Sequence, residues 1–334
     1  MRVIFIINQD SNHQTVISRG GGASEWLFFL TAYKLSQIEG NEIIIYNKVQ
    51  TEQILDGIQY KYYENNQIIK TIQNETVIMQ RELLALKKIH EINPNNKYFC
   101  WCHDHYKSNY ETEHNPVIIN EYFGKHNIQV ICISQFQKRV YKSKLPNVTI
   151  HIIYNALFKE FYPKSSDITY DKNVMLFASN WDKRLDIVLR GCRAYHNKNP
   201  KFRLYLLKPI YVAANGDDWK RRFPFIELKG CITDKNEYSK LIQGCLGVFG
   251  THFPETFGCV FAEALHLGVP VIGDNSISTG YSEFVPDNLL CNFNNPNQIA
   301  NKIEEIYNNR PNVKLGDQFY DDQVIQEWMK LLSE

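Results

Sequence analysis

The sequence lacks three features that would mark a simple class of protein. It has no surplus of charge of one sign, because it contains 37 basic and 36 acidic residues. This balance does not indicate a protein that binds nucleic acid. Its eight cysteines are scattered along 334 residues without the dense spacing of a disulfide scaffold, so we interpret them as reduced core residues. No apolar run approaches the roughly 20 residues of a membrane span. Residues 1–10 lack the pattern of a signal peptide, and a cytoplasmic protein is expected.

Metal-binding patterns are also missing. Cys100 and Cys102 lie in Cys-Trp-Cys-His-Asp-His, but no second cysteine pair stands at zinc spacing. The acidic pair of Asp217 and Asp218 follows Asn-Gly, which favours a turn. We therefore expect neither a metal nor a cofactor.

The chain does contain a series of short apolar runs with helical patterns between them. Such runs are typical of buried parallel strands, which right-handed crossovers assemble into α/β layers. The series restarts near residue 160, and a Pro and polar residues in 156–167 indicate a linker. We predict two doubly wound, Rossmann-like domains that face a cleft, one over 1–157 and one over 158–315. A C-terminal helix in 316–334 is expected to pack back towards the first domain.

The predicted elements follow from these patterns. Strands are expected over 3–7, 42–46, 76–79, 98–101, 129–133, 149–153, 174–178, 203–207, 226–228, 247–249 and 269–272. The clearer helices are expected over 25–38, 186–197, 235–244 and 259–267.

The most informative stretch covers residues 252–273 and has the order loop, helix, strand. A helix begins near Gly258, and Gly268 followed by Pro270 ends it. Amide N–H groups at a helix start, with a glycine that lets a ligand approach the backbone, make a site for a diphosphate. The residues expected to bind a ligand with such a diphosphate are Phe257, Gly258, Cys259 and Val260.

Two acidic residues belong to the same stretch. Glu263 falls on the helix face that packs inward, and a buried carboxylate needs hydrogen-bond partners, which the vicinal hydroxyls of a ribose would supply. Glu255 lies in the loop, where it can accept hydrogen bonds from a sugar. Each acid alone is more often a solvated loop acid or an ordinary helical acid. The pair, the Phe-Gly turn and the Gly-x-Pro end together favour the functional interpretation.

These residues resemble a known motif. Glu255 and Glu263, with seven residues between them, are similar to the Glu-x7-Glu motif of glycosyltransferase family 4, whose members are retaining enzymes with the two-domain GT-B fold. Segments 131–138, 153–156 and 281–285 resemble further elements of that family in the same order. The resemblance covers residues 100–305 well and the first hundred loosely. It implies the GT-B fold, with 1–157 as the acceptor-side domain and 158–315 as the domain that binds a nucleotide-sugar donor.

The resemblance also assigns the other donor contacts. The segment Phe177-Ala-Ser179-Asn180-Trp-Asp-Lys183-Arg184 looks like the family's phosphate-binding Arg/Lys segment. Lys183 keeps the cation, but Ser179 and Asn180 stand where an arginine is common, and Arg184 stands where a glycine is common. Arg184 is therefore either a second phosphate contact or a surface charge. Base contacts are expected from the backbone near Cys231 and Ile232.

The first domain contributes a glycine-rich loop and a histidine-rich strand end. Gly21 and Gly22 precede a helix and are interpreted as donor-binding, with a flexible turn as the alternative. They lie too far after the first strand for a dinucleotide fingerprint. The resemblance places a histidine near the reacting sugar in Trp-Cys-His103-Asp-His105. His103 fits by spacing, and His105 is the second choice.

The expected function is the metal-independent transfer of a sugar from a UDP- or GDP-sugar to a hydroxyl acceptor such as a growing glycan. The resemblance implies retention of configuration, and the expected catalytic residues are Glu255, Lys183 and His103. A GT-B-fold sugar-nucleotide epimerase and a non-catalytic nucleotide-sugar-binding partner subunit are the alternatives. Peripheral membrane contact also stays open, although residues 81–89 favour an ordinary half-buried helix.

Overall fold

The computed structural model describes residues 1–19, 22–49, 51–63, 70, 72–106, 116–208 and 216–334. The chain divides into two units, one formed by Met1–Ala156 with Asp322–Glu334 and the other by Leu157–Asp321. Each unit is built on its own predominantly parallel sheet with helices. The predicted α/β class with two Rossmann-like domains is therefore confirmed.

Short strands alternate with helices along the described chain. Strands β1–β14 are Arg2–Ile6, Glu42–Asn47, Gln53–Leu55, Ile58–Tyr62, Thr76–Gln80, Lys97–Trp101, Gln129–Cys132, Ile150–Ile152, Asp171–Phe177, Arg203–Leu207, Ile226–Lys229, Cys245–Phe249, Val271–Asp274 and Leu290–Cys291. Helices α1–α11 are His13–Arg19, Ala23–Ser36, Leu83–Ile92, Pro116–His126, Gln135–Lys144, Leu185–Lys198, Gly216–Arg222, Lys235–Gln243, Cys259–His266, Pro296–Asn308 and Asp321–Ser333.

The first unit has an eight-stranded sheet in the order β3-β4-β2-β1-β5-β6-β7-β8. Its neighbouring strands are parallel, apart from the antiparallel pair of β3 and β4. The sequence analysis did not predict β3 and β4, because both are short and mix polar with apolar residues. Ile54 in β3 is exposed, so this strand lacks the apolar run of a buried one.

Helices cover both faces of the first sheet. Ile4 of β1 joins a buried cluster with side chains of α3, α4 and α5, including Leu86. The next residue, Phe5, points to the opposite face and packs edge-on against Phe28 of α2, with 5.3 Å between ring centroids. Since Leu86 belongs to the buried face of α3, the expectation of an ordinary half-buried helix is confirmed.

The C-terminal helix α11 packs within the first unit for most of its length. Trp328 of α11 is fully buried and lies 4.8 Å from Trp101 of β6, centroid to centroid. Trp101 also stacks on Phe28, so α11 and α2 share the same face of the first sheet.

The second unit has a six-stranded sheet in the order β11-β10-β9-β12-β13-β14, and every neighbouring pair is parallel. Residues 174–177 of β9 and 245–249 of β12 are buried without interruption, as in a sheet covered on both faces. Helices α6 and α10 approach closely at Gly191, where a Cβ atom would lie 2.4 Å from Ile299.

Side-chain caps explain where two helices begin. Ser134 accepts a hydrogen bond from the backbone N–H of Gln137 at the start of α5, at 3.0 Å. Asp234 caps α8 in the same way. Each cap satisfies an amide that has no carbonyl partner within its helix, which is why serine and aspartate are favoured at these positions.

Two expectations about local structure are wrong. Asp217 and Asp218 do not form a turn but lie in the first turn of α7, where acidic residues complement the helix dipole. The eight cysteines all carry free thiols, but they are not all core residues. Cys231 is exposed and Cys259 is partly exposed, whereas the other six are buried.

Candidate active site

The strand order of the second sheet reverses between β9 and β12, which are parallel neighbours. Ligands of open α/β sheets bind beyond the carboxyl ends of the strands at such a point. Residues 178–184 follow β9 and residues 250–258 follow β12. The structure therefore brings the predicted residues Lys183, Glu255 and Gly258 to one edge of this sheet.

Lys183 and Glu255 form an ion pair at that edge. The Lys183 Nζ atom lies 2.5 Å from Glu255 Oε1, and the Glu255 side chain is largely buried. The Glu255 carbonyl accepts a 2.7 Å hydrogen bond from the Gly280 amide, which fixes the loop from a second side. Phe253 is 36% exposed, and its ring centroid lies 5.9 Å from Lys183 Nζ. The pair places a cation and an anion side by side, next to an exposed aromatic ring.

Helix α9 begins at the same edge, directly after Gly258. Gly258 has φ +91°, which only glycine adopts readily, and a Cβ atom there would lie 2.4 Å from the Phe261 ring. The amides of Cys259 and Val260 open the helix, and both residues are partly exposed. The predicted phosphate-binding helix start is thus present as a local structure.

Glu263 has protein partners that the sequence analysis did not foresee. It is buried, at 7% exposure, and its Oε1 and Oε2 accept hydrogen bonds from the hydroxyls of Tyr162 at 2.6 Å and Tyr238 at 2.9 Å. Burial, reinforced by the Glu263 charge, raises the pKa of both tyrosines well above the usual range, so they stay protonated donors. Lys235 Nζ donates to the Tyr162 oxygen at 2.9 Å. Two tyrosine hydroxyls therefore already bond to Glu263, and its contact with a ribose stays a prediction.

The segment after β9 holds the other predicted phosphate residues. Ser179 is buried, and the Asn180 side chain accepts from the amide of Asp182 at 3.3 Å. Arg184 is the N-cap of α6 and has φ +62°. Its guanidinium Nε lies 3.2 Å from Asp186 Oδ1, and the side chain is about half exposed.

Three further predicted donor residues have different surroundings. Phe257 is buried, at 2% exposure, and its ring packs against Phe284 and Phe319. Cys231 is exposed and Ile232 is partly exposed in the segment between β11 and α8.

The sequence analysis did not predict the contact between His252 and Asp274. His252 Nδ1 lies 2.5 Å from Oδ2 of Asp274, the last residue of β13. Tyr281 links the same two segments, because its hydroxyl donates to the Thr251 carbonyl at 3.1 Å and accepts from the Asp274 amide at 3.0 Å. Proximity of His252 to Glu255 in sequence was the available sign, but nothing local indicates the partner 22 residues away.

In the first unit, His103 lies at the carboxyl end of β6. It is buried, and its ring centroid lies 4.6 Å from that of Trp101. Burial, with a smaller effect from Arg81, holds the pKa of His103 well below its usual range, so the imidazole is neutral near pH 7. His105, the alternative, is partly buried, with Nδ1 3.3 Å from the Tyr106 carbonyl.

Arg81 lies at the carboxyl end of β5, the neighbour of β6 in the first sheet. The sequence analysis treated it as part of a helix. It follows β5 directly, with φ +67°. Its guanidinium contacts Glu25 Oε1 at 3.0 Å and Asp104 Oδ2 at 2.9 Å. Gly22 is the N-cap of α2, and its carbonyl accepts from the Trp26 amide. Gly21 lies outside the described residues.

The described residues contain neither a membrane-spanning helix nor a cluster of metal ligands. None of the helices placed by the structure is long and apolar enough to cross a membrane. Within those same ranges, no group of three or more His, Cys, Asp or Glu side chains is arranged to hold a metal ion.

Comparison with known sequences gives one curated relative. An uncharacterized glycosyltransferase from Methanocaldococcus jannaschii is 28% identical over 192 residues, which cover 57% of this chain and 52% of the relative. The chain thus spans about half the length of the curated relative that it matches. No family model matches the chain.

Comparison with solved structures shows the fold over the whole chain. HepE from Anabaena, in complex with UDP and glucose, has a TM-score of 0.73 at 15% identity, with 100% of this chain and 99% of that chain covered. Sucrose-phosphate synthase from Thermosynechococcus elongatus has a TM-score of 0.71 at 13% identity, with 99% and 98% covered. OtsA in its apo form has a TM-score of 0.72 at 9% identity, with 100% and 99% covered. The chain has the GT-B fold.

Proposed function

We propose that the chain transfers a sugar from a nucleotide-diphosphate sugar to a hydroxyl acceptor, such as a growing glycan, with retention of configuration. The contact between Lys183 and Glu255 beside the start of α9 carries the proposal. It combines a cation for a phosphate with an acceptor for a sugar hydroxyl at the ligand-binding edge of a sheet. The Glu-x7-Glu resemblance supports retention, and the UDP and glucose bound by HepE favour a UDP-sugar over a GDP-sugar.

Charge develops on the departing nucleoside diphosphate, and the proposed site stabilises it without a metal. The Lys183 ammonium and the opening amides of α9 supply positive potential at fixed positions, so little reorganisation is needed during the reaction. An incoming diphosphate competes with Glu255 for Lys183. Glu255 is thereby released to accept a hydrogen bond from the transferred sugar.

The remaining donor contacts follow from the same orientation. Glu263 accepts from the ribose in addition to its tyrosine partners, since two carboxylate oxygens offer about four acceptor positions. Ser179 and Asn180 lie beside the diphosphate, and the backbone near Cys231 and Ile232 contacts the base. The amide of Gly22 and the loop with Gly21 are proposed as further contacts to the donor.

His103 is proposed as a hydrogen-bonding residue for the reacting sugar. Its low pKa makes it a neutral imidazole, which can donate from one nitrogen and accept at the other. Replacement of His103 should therefore lower turnover more than it lowers donor affinity. His105 remains the second choice for the same role.

A thermal-shift panel of UDP- and GDP-sugars, with and without EDTA, tests the proposal. A ligand that binds only the folded chain stabilises it by about 2.7 kcal/mol at one hundred times Kd. We expect a shift with UDP-sugars that EDTA leaves unaltered. A shift abolished by EDTA would overturn the metal-free site, and no shift with any nucleotide sugar would overturn the proposed donor site.

Two lysine variants of helix α6 and its preceding loop make the test specific. Lys183→Met should remove most of the shift, because it deletes the proposed phosphate contact. Lys198→Met is the matched control, since Lys198 is exposed at the other end of α6 and pairs with Glu304. Product analysis with UDP-sugar alone separates the transferase from an epimerase, which would release an epimerised sugar without an acceptor.

A further inference from the structure

Asp274 is a fully buried carboxylate at the end of β13, with 0% exposure. Its Oδ1 accepts hydrogen bonds from the Ser276 amide at 2.8 Å, the Ser276 hydroxyl at 2.6 Å and the Phe293 amide at 3.1 Å. Its Oδ2 lies 2.5 Å from His252 Nδ1. Burial of a carboxyl group is costly unless such donors surround it, and these contacts hold the Asp274 side chain in one orientation.

The contact with Asp274 fixes the orientation of the His252 ring. Because Nδ1 lies against the Asp274 oxygen, Nε2 is the ring nitrogen that remains for a ligand. Among the described residues, Asp274 is the hydrogen-bond partner that the structure gives to this imidazole. The His252 side chain is 13% exposed, so the ring is anchored on one side and accessible on the other.

The order of strands locates His252 relative to the proposed donor. From β11 towards β13, the sheet edge carries the predicted base contacts, then Lys183 after β9, then Glu255 after β12. A donor laid along this edge has its base near β11, its diphosphate near Lys183 and its sugar directed towards β13. The contact between His252 and Asp274 bridges the carboxyl ends of β12 and β13, next to the sugar end.

We propose that His252 is a specificity-determining residue whose Nε2 accepts a hydrogen bond from one hydroxyl of the transferred sugar. Asp274 acts as its positioning residue, and Tyr281 holds the backbone between them. The inference rests on the proposed function, since it names a sugar contact within the same donor site. A site built to bond a particular hydroxyl rejects sugars that lack it, because its buried polar group would be left unpaired.

Calorimetric titration with UDP and with UDP-glucose tests the assignment in wild type and His252→Ala. We expect His252→Ala to bind UDP-glucose about tenfold more weakly and to bind UDP as the wild type does, the loss expected for one hydrogen bond. His196→Ala is the matched control, because His196 lies in the last turn of α6 and outside the loops that follow β9 and β12. It should leave both affinities unchanged.

Deoxy analogues of UDP-glucose distinguish a sugar contact from a general effect on the loop. For one of the 3-, 4- and 6-deoxy donors, wild type and His252→Ala should bind equally, because the hydroxyl that His252 recognises is already absent. Equal weakening of every donor, or a loss that includes UDP, would overturn the proposal. If wild type binds UDP and His252→Ala binds UDP-glucose normally, only the inference fails. If wild type binds neither ligand, the proposed UDP-sugar function fails with it.

Discussion

The carboxylate of Glu263 is held by two phenol groups, each of which donates one hydrogen bond to a different oxygen. Both phenols are buried, and burial raises their pKa well above the usual range, so they remain hydrogen-bond donors to the Glu263 side chain. Each oxygen retains a second acceptor position. Glu263 therefore has a structural role within the second unit and room for the ribose contact that we propose.

Substitutions at Glu263 and Tyr238 separate these two roles. Glu263→Ala should lower the melting temperature, because it leaves two buried tyrosine hydroxyls without a hydrogen-bond acceptor. It should also weaken UDP binding about tenfold or more, because it removes the proposed acceptor for the ribose. Tyr238→Phe should lower the melting temperature by a few degrees, about 2–4 °C for each kcal/mol lost, while UDP affinity stays within twofold. Calorimetry and thermal unfolding measure both quantities. Unchanged UDP affinity in Glu263→Ala would leave Glu263 with the structural role alone.

Arg184 shows how backbone conformation decides between two interpretations of one residue. Its φ of +62° lies in the left-handed region, which costs an ordinary residue about 1–2 kcal/mol and a glycine almost nothing. This explains why a glycine is common at the equivalent position of the family that the sequence resembles. Since the guanidinium lies against Asp186 at the surface, the contacts favour a surface charge over a second phosphate contact.

At the scale of elements, helix α9 is bounded by two glycines with positive φ. Gly258 precedes the helix at φ +91°, and Gly268 follows it at φ +76°. A Cβ atom at Gly268 would meet nothing within 4 Å, whereas one at Gly258 would overlap the Phe261 ring. The two positions therefore share backbone strain and differ in steric clash.

This difference predicts unequal effects of alanine at the two ends of α9. Gly268→Ala should cost about 1–2 kcal/mol from backbone strain alone. Gly258→Ala should cost about 1–3 kcal/mol more, because Phe261 must move, and it should also weaken UDP binding by shifting the amides of Cys259 and Val260. Urea unfolding and calorimetry provide the measurements. Equal stability losses for the two variants would contradict the clash with Phe261.

Local patterns predicted much of the fold and part of the candidate site. The apolar run of β5 and the glycine before α9 are visible within a few residues, so most strands and this helix start were placed with only their ends shifted, whereas β3, β4 and β14 were not predicted. Contacts made across the chain were not visible. Tyr162 and Tyr238 reach Glu263 over separations of 101 and 25 residues, and no local pattern encodes such a pairing.

Helix α7 illustrates a different limit, because two local preferences compete within it. Asn-Gly before Asp217 and Asp218 favours a turn, and this preference decided the prediction. The same acidic pair favours the first turn of a helix, and Lys220, Arg221 and Arg222 favour the last turn. The structure shows that the charge pattern prevails over the turn preference here.

At the scale of the whole molecule, the same plan occurs in both units. In the first sheet the strand order reverses between β1 and β5, and in the second between β9 and β12. Charged side chains follow the strands at both points, Arg81 after β5 and Lys183 after β9. The net charge of +1 therefore conceals local charge at two sheet edges, each of which is a ligand-binding position by topology.

Four histidines distributed over both units predict how stability depends on pH. Burial lowers the pKa of His90, His103, His151 and His266 below the ordinary value of about 6.5. The unfolded chain therefore binds more protons than the folded chain as the pH falls below about 6.5, so the free energy of unfolding decreases there. Above about pH 7 these imidazoles are neutral in both states and this contribution is constant.

Thermal unfolding at pH 7.5, 7.0, 6.5 and 5.5 measures this dependence. We expect similar melting temperatures at pH 7.5 and 7.0 and a progressive decrease below pH 6.5, where carboxylates still contribute little. Burial lowers the pKa of His103 well below the usual range, so the decrease of His103→Gln between pH 7.5 and 5.5 should be smaller than that of the wild type. A melting temperature that is equal or higher at pH 5.5 would contradict the lowered pKa values of these histidines.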